Sequence, residues 1–144
     1  MLAPTFAAKE IESILRECLE RQGWAMPEPV VKRTVDILVN KIDKNPWQPE
    51  PSYAEVYLTI KSPQALLTLG DTCFFTRAVF PELGSNRGIN SNYYVQLGQS
   101  CYDRVLKHTI PNPTLEQLRD HFEFLAEIVY TAIWSKGDFR SMWE

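Results

Sequence analysis

Two charged residues, Asp71 and Arg77, lie within one of the most apolar runs of the chain, LGDTCFFTRAVFPELG at 69–84. A carboxylate whose pKa is raised by desolvation is suited to act as a base, and a guanidinium binds anions. On a helix the two positions lie about 120° apart, so their side chains cannot pair within it. Each charge therefore requires water or a partner from another element.

A helix predicted over 92–107 carries a mid-helix glycine, Gly98, and the helix predicted over 63–79 carries another, Gly70. A glycine inside a helix costs about 1 kcal/mol relative to alanine, so it indicates a packing need. We expect these two helices to cross closely, with Gly70 near Gly98.

The same crossing allows a structural and a functional interpretation of its polar residues. In the structural one, Tyr102 hydrogen-bonds a buried Asp71, because buried polar groups are nearly always partnered. In the functional one, a carboxylate, an arginine and tyrosines converge on a pocket for a ligand or substrate. The candidate residues are Asp71, Arg77, Tyr94, Gly98 and Tyr102.

Other chemistries have weaker support in the sequence. His108 and His121 lack the carboxylate or histidine spacing of a metal-binding helix, and the six glycines form no phosphate-binding loop. We expect no metal and no cofactor, and we assign no catalytic residue.

Composition describes an ordinary globular chain of 144 residues with 44% hydrophobic residues and a net charge of −3. That length predicts a single domain over 1–144, and the negative charge disfavours nucleic acid as a partner. Cys18, Cys73 and Cys101 fall on apolar faces and are expected to be buried free thiols. With neither a secretory signal nor a membrane span in the sequence, we expect a cytoplasmic protein.

Helical periodicity runs through almost the whole chain, which predicts an all-α bundle of five or six helices. Capping boxes are predicted at 52–55 and 114–117. The strongest stripe spans 115–135, where Phe124 and Ile133 widen the apolar face. We expect this C-terminal helix at the centre of the bundle. After it, Phe139, Met142 and Trp143 form an apolar tail that is expected to fold back onto the body or to dock on a partner.

LGDTCFFTRAVFPE followed by YYVQLGQSCYDRVL resembles a group of small, uncharacterised bacterial proteins. Their pattern is a Leu-Gly-Asp helix ending in Phe-Pro-Glu, then Tyr-x-x-x-Gly-x-x-x-Tyr. The resemblance covers about residues 60–107. It implies a bacterial origin, and since no activity is known for the group it implies no particular activity. It also indicates that Gly70, Asp71 and Gly98 belong to one structural unit.

Two functions are compatible with these features. The first is a protein-interaction module acting as a homodimer or an adaptor, with an exposed aromatic patch and an internally paired Asp71. The alternative is a small-molecule-binding protein or enzyme whose site lies at the crossing of the helices 63–79 and 92–107.

Overall fold

The computed structural model describes residues 4–42, 53–135 and 141–143. Those residues form α-helices joined by turns, with short 3-10 turns at Ser85–Arg87 and 141–143 and no strand among them. The helices are α1 (Pro4–Arg21), α2 (Glu28–Asn40), α3 (Tyr53–Thr59), α4 (Pro63–Val79), α5 (Ser91–Lys107), α6 (Pro113–Asp120) and α7 (Phe122–Trp134). The all-α prediction is confirmed, and none of these helices is long and apolar enough to cross a bilayer.

The predicted count of five or six helices is wrong, because the described residues already contain seven. The predicted helix 115–135 is two helices that meet at His121, whose φ of −110° and ψ of 23° lie outside the helical range. No proline or glycine marks this break, and the apolar periodicity continues through it. The sequence pattern therefore gives no sign that the helix ends at His121.

The C-terminal helix is not the centre of the bundle. Helix α4 contacts α2, α3, α5 and α7, and every residue from Cys73 to Val79 is buried. A helix that is apolar on all sides belongs in the middle of a core. By contrast, α7 has an outer face, on which Phe124 and Trp134 are about half exposed.

Helix caps explain where several elements begin and end. Gly23 adopts a left-handed φ of 69° after α1, and the Trp24 amide donates to the Leu19 carbonyl, which closes the helix. The capping box predicted at 114–117 is wrong, since the N-cap of α6 is Asn112. Pro113 takes the first helical position, which suits its fixed φ, and this moves the cap to the preceding residue. The box predicted to start at Ser52 includes residues outside the described ranges.

The apolar tail folds back onto the body of the protein. Trp143 is 1% exposed, its ring lies 6.4 Å from that of Phe75, and its Nε1 donates to the Leu38 carbonyl at 2.9 Å. Met142 is half-buried against the core. Phe139, the third residue of the predicted tail, lies outside the described residues.

Candidate functional site

The crossing of α4 and α5 depends on both glycines. A β-carbon at Gly70 would lie 2.6 Å from Cε1 of Tyr102, and one at Gly98 would lie 2.3 Å from Cζ of Phe122. These distances are far below van der Waals contact, so each glycine makes room for an aromatic ring. The same β-carbons would lie 3.2 Å from Cβ of Cys101 on α5 and 3.1 Å from Cβ of Cys73 on α4, so the two helices pack closely, as predicted. The rings of Tyr102 and, from α7, Phe122 occupy the space that the glycines leave.

Two cysteines complete this packed region. Cys73 and Cys101 are both 0% exposed and carry free thiols. Burial raises the pKa of the Cys101 thiol to about 12 and that of Cys73 well above its usual value. Both groups therefore stay protonated at neutral pH and act as small apolar side chains rather than as nucleophiles. Cys18 is also buried, so the prediction of three buried thiols is confirmed.

Asp71 is held from two sides by side chains of different helices. The Tyr102 hydroxyl on α5 donates to Oδ1 at 2.7 Å, the bond expected under the structural interpretation of the sequence. From α2, the Nη2 atom of Arg33 lies 2.9 Å from Oδ1 and 2.7 Å from Oδ2. The Asp71 side chain is only 18% exposed, so its charge is balanced chiefly by these two groups.

Burial and pairing act in opposite directions on the Asp71 carboxyl. Desolvation raises its pKa, while the Arg33 charge and the hydrogen bond from Tyr102 lower it; the net direction is upward. The pKa of the Tyr102 phenol is raised well above its usual value, mainly by burial and then by the neighbouring carboxylate. The phenol therefore keeps its proton and remains the donor in this pair.

Arg77 does not join this cluster. It is 7% exposed and pairs with Glu127 on α7, whose side chain is 56% exposed. Its Nε atom is buried and hydrogen-bonds to none of the described residues. Asp71 and Arg77 are thus separated, as their helical spacing predicts, and each charge has a partner on a different helix.

Tyr94 also lies apart from Asp71. It is 2% exposed, its hydroxyl donates to the Leu83 carbonyl at 2.8 Å, and its ring packs edge-on against Tyr53 and Tyr93. This bond ties the loop after α4 to the start of α5. Of the predicted polar residues, the structure brings together only Asp71 and Tyr102, beside Gly70.

A cleft of about 400 Å³ opens between α2 and α4, and Asp71 is part of its lining. Arg33, Lys41 and Thr68 are among its lining residues. The Lys41 ammonium donates to the Thr72 hydroxyl at 2.9 Å. The sequence analysis did not identify Arg33 and Lys41. The sequence does not show which polar side chains at and after α2 face α4, because that depends on how α2 docks.

The outer face of α7 is a second feature of functional interest. Phe124, Glu127, Thr131 and Trp134 recur every three or four residues along it, and each is exposed. Phe124 also packs edge-on against Trp24, with ring centroids 4.2 Å apart. We call this stripe, together with Tyr130, the α7 outer face.

No group of three or more histidine, cysteine, aspartate or glutamate side chains in the described ranges is placed to hold a metal ion. No family model matches the chain, and no curated protein or solved structure is detectably similar to it.

Proposed function

We propose that this chain is a bacterial, cytoplasmic protein-interaction module that acts as a homodimer through the α7 outer face. The observation that carries the proposal is the pair of aromatic side chains on this face, Phe124 at 47% and Trp134 at 45% exposure. Large aromatic side chains are enriched in interfaces and are costly to leave in water. The internal pairing of Asp71 with Tyr102 and Arg33 fits the same interpretation, since it gives this carboxylate a structural role.

The α7 outer face is complementary to itself. Phe124 and Trp134 lie near opposite ends of the stripe, about 15 Å apart along the helix. If two copies of α7 pack antiparallel about a two-fold axis, Phe124 of one copy meets Trp134 of the other. Glu127 then lies opposite Thr131. Such matching of one patch with itself is what a two-fold dimer requires.

The charge of Glu127 is also compatible with self-association. Glu127 lies in the middle of the stripe, and the buried guanidinium of Arg77 lies against it. The pair is neutral overall, so two copies of Glu127 would approach the two-fold axis without bringing together two unbalanced charges. Arg77 thereby has a role that does not involve Asp71.

The mass of the protein in solution, measured by light scattering, tests this proposal. We expect twice the 16.6 kDa of one chain for the native protein. Phe124→Glu and Trp134→Glu should each give the monomer mass, because a buried unpaired charge opposes association. Leu58→Glu is the matched control, since Leu58 is 79% exposed on α3 and should leave the dimer intact. A native monomer at about 100 µM, or a dimer that survives both α7 changes, would refute the proposal.

A further inference from the structure

A second cavity adjoins the cleft beside Asp71. It has a volume of about 520 Å³ and lies between the first turn of α4 and the segment 109–115. Arg33, Gln64 and Leu67 line both cavities. The two cavities therefore meet at the Arg33 side chain, and we call them together the groove.

Arg33 uses only one of its three nitrogen atoms to hold Asp71. Both hydrogen bonds to that carboxylate come from Nη2, and its Nε and Nη1 atoms donate to none of the described residues. The side chain is 26% exposed and lies in the wall of the groove. A guanidinium has five N–H donors in a planar fork that fits a second oxyanion.

The buried part of the cluster fixes the direction of that fork. Tyr102 is fully buried and holds Oδ1 of Asp71, and Asp71 in turn holds Nη2 of Arg33. The guanidinium is thus oriented from the core before any ligand arrives. A side chain ordered in advance loses less conformational entropy when it binds.

The two halves of the groove differ in polarity. The half between α2 and α4 contains the charged side chains of Arg33, Lys41 and Asp71. The other half is lined mainly by aliphatic residues and prolines: Leu67, Val105, Ile110, Pro111, Pro113 and Leu115. Ile110 is 84% exposed, so an apolar group bound beside it would remove apolar surface from water.

We propose that this groove binds a small carboxylate with an aliphatic tail. The open edge of Arg33 holds the carboxylate, and the tail lies along Leu67 and Ile110. This site lies on α2, α4, the end of α5 and the segment 109–115, so it is separate from the α7 outer face. Asp71 is then a positioning residue, which orients Arg33 without touching the ligand.

Calorimetric titration of the full chain with octanoate tests the site. We expect saturable binding with a Kd below about 1 mM. Octanol lacks the charge and acetate lacks the tail, so each should bind at least about tenfold more weakly. Equal binding of octanol and octanoate, or no binding of octanoate, would overturn the proposal.

Variants separate the head of the ligand from its tail. Arg33→Lys keeps the positive charge beside Asp71 but loses the fork, and should weaken octanoate binding about tenfold. Arg119→Lys is the matched control, because Arg119 is 30% exposed and also pairs with carboxylates, at Asp103 and Asp120, outside the groove. Ile110→Ser should weaken octanoate several-fold and leave acetate unchanged. If Arg33→Lys binds octanoate as well as Arg119→Lys does, the site is not at Arg33.

Discussion

Asp71 and Arg77 lie six residues apart on one buried helix, yet their surroundings differ in kind. Asp71 accepts three hydrogen bonds from two helices, α2 and α5, and all of its partners lie within the bundle. Arg77 has one charged partner, Glu127, which is itself mostly exposed, and its Nε is buried without a bond to any described residue. A buried charge that is paired with side chains of two other helices fixes how those helices dock. A buried charge whose only charged partner is an exposed side chain depends on a pair that water can reach.

The largest predicted effect comes from disturbing the Asp71 end without changing a charge. Gly70→Ala would place a β-carbon 2.6 Å from the Tyr102 ring and 3.2 Å from Cβ of Cys101. Both neighbours are fully buried, so we expect a loss of about 1–3 kcal/mol in the free energy of unfolding. Urea denaturation measures it.

Thr68→Ala, in an exposed position on the same helix, is the control for this change. It should alter stability by no more than about 0.5 kcal/mol. If Gly70→Ala were as stable as the native protein, the close crossing of α4 and α5 would be wrong.

A matched pair of substitutions compares the two charges directly. Arg33→Gln leaves Asp71 without its cation, and since these side chains are 26% and 18% exposed we expect a cost of about 2 kcal/mol. Glu127→Gln leaves Arg77 without its anion. The amide oxygen of Gln can still accept from the Arg77 guanidinium, and in the single chain water reaches position 127, where Glu127 is 56% exposed, so the cost should be only about 1 kcal/mol.

Urea midpoints at one protein concentration give both values, and the slope m should stay constant. A larger loss for Glu127→Gln than for Arg33→Gln would reverse the comparison. It would mean that the α7 pair, rather than the Asp71 cluster, contributes more to the fold.

The smallest effect is a pH dependence that belongs to Asp71 alone. Its pKa is raised in the folded state, so in the acid range the native protein binds more protons than the unfolded chain. Its contribution to stability therefore falls as the pH rises from the unfolded pKa to the folded one. The stability of Asp71→Asn relative to the native protein should accordingly increase over the same interval.

Denaturation at a series of acid pH values measures this difference. Asp103→Asn is the contrasting variant, because hydrogen bonding from Lys107 lowers the pKa of Asp103. Its stability relative to the native protein should decrease as the pH rises. A trend for Asp71→Asn that matches that of Asp103→Asn would show that pairing outweighs desolvation at Asp71.

Sequence patterns predict the parts of this fold that depend on local spacing. Gly70 and Gly98 predict the tight crossing of α4 and α5. The helix faces on which the two glycines lie also place Tyr102 beside Asp71. The cation on α2 that pairs with Asp71 could not be predicted. Lys32 and Arg33 are both cationic neighbours on α2, and only the docking angle of this helix selects Arg33. The break at His121 was missed for a related reason, since apolar spacing continues from Leu118 to Phe122.

Only part of the candidate site could be predicted from the sequence. Asp71 and Tyr102 meet as expected, while Arg77 finds its partner on a helix 50 residues further along the chain. Helical geometry excludes a pair between Asp71 and Arg77, but it does not identify Glu127. That choice depends on the packing of α4 against α7, which is a property of the whole core.

The bond from Trp143 to the Leu38 carbonyl joins positions that are 105 residues apart. During synthesis, α2 leaves the ribosome long before Trp143 is translated, so the pocket that receives the indole stays open until Trp143 emerges. Because the indole lies against both α2 and Phe75 of α4, this part of the core can close only after Trp143 has been synthesised. In a variant whose other tryptophans are replaced, the fluorescence of Trp143 follows the timing of that closure.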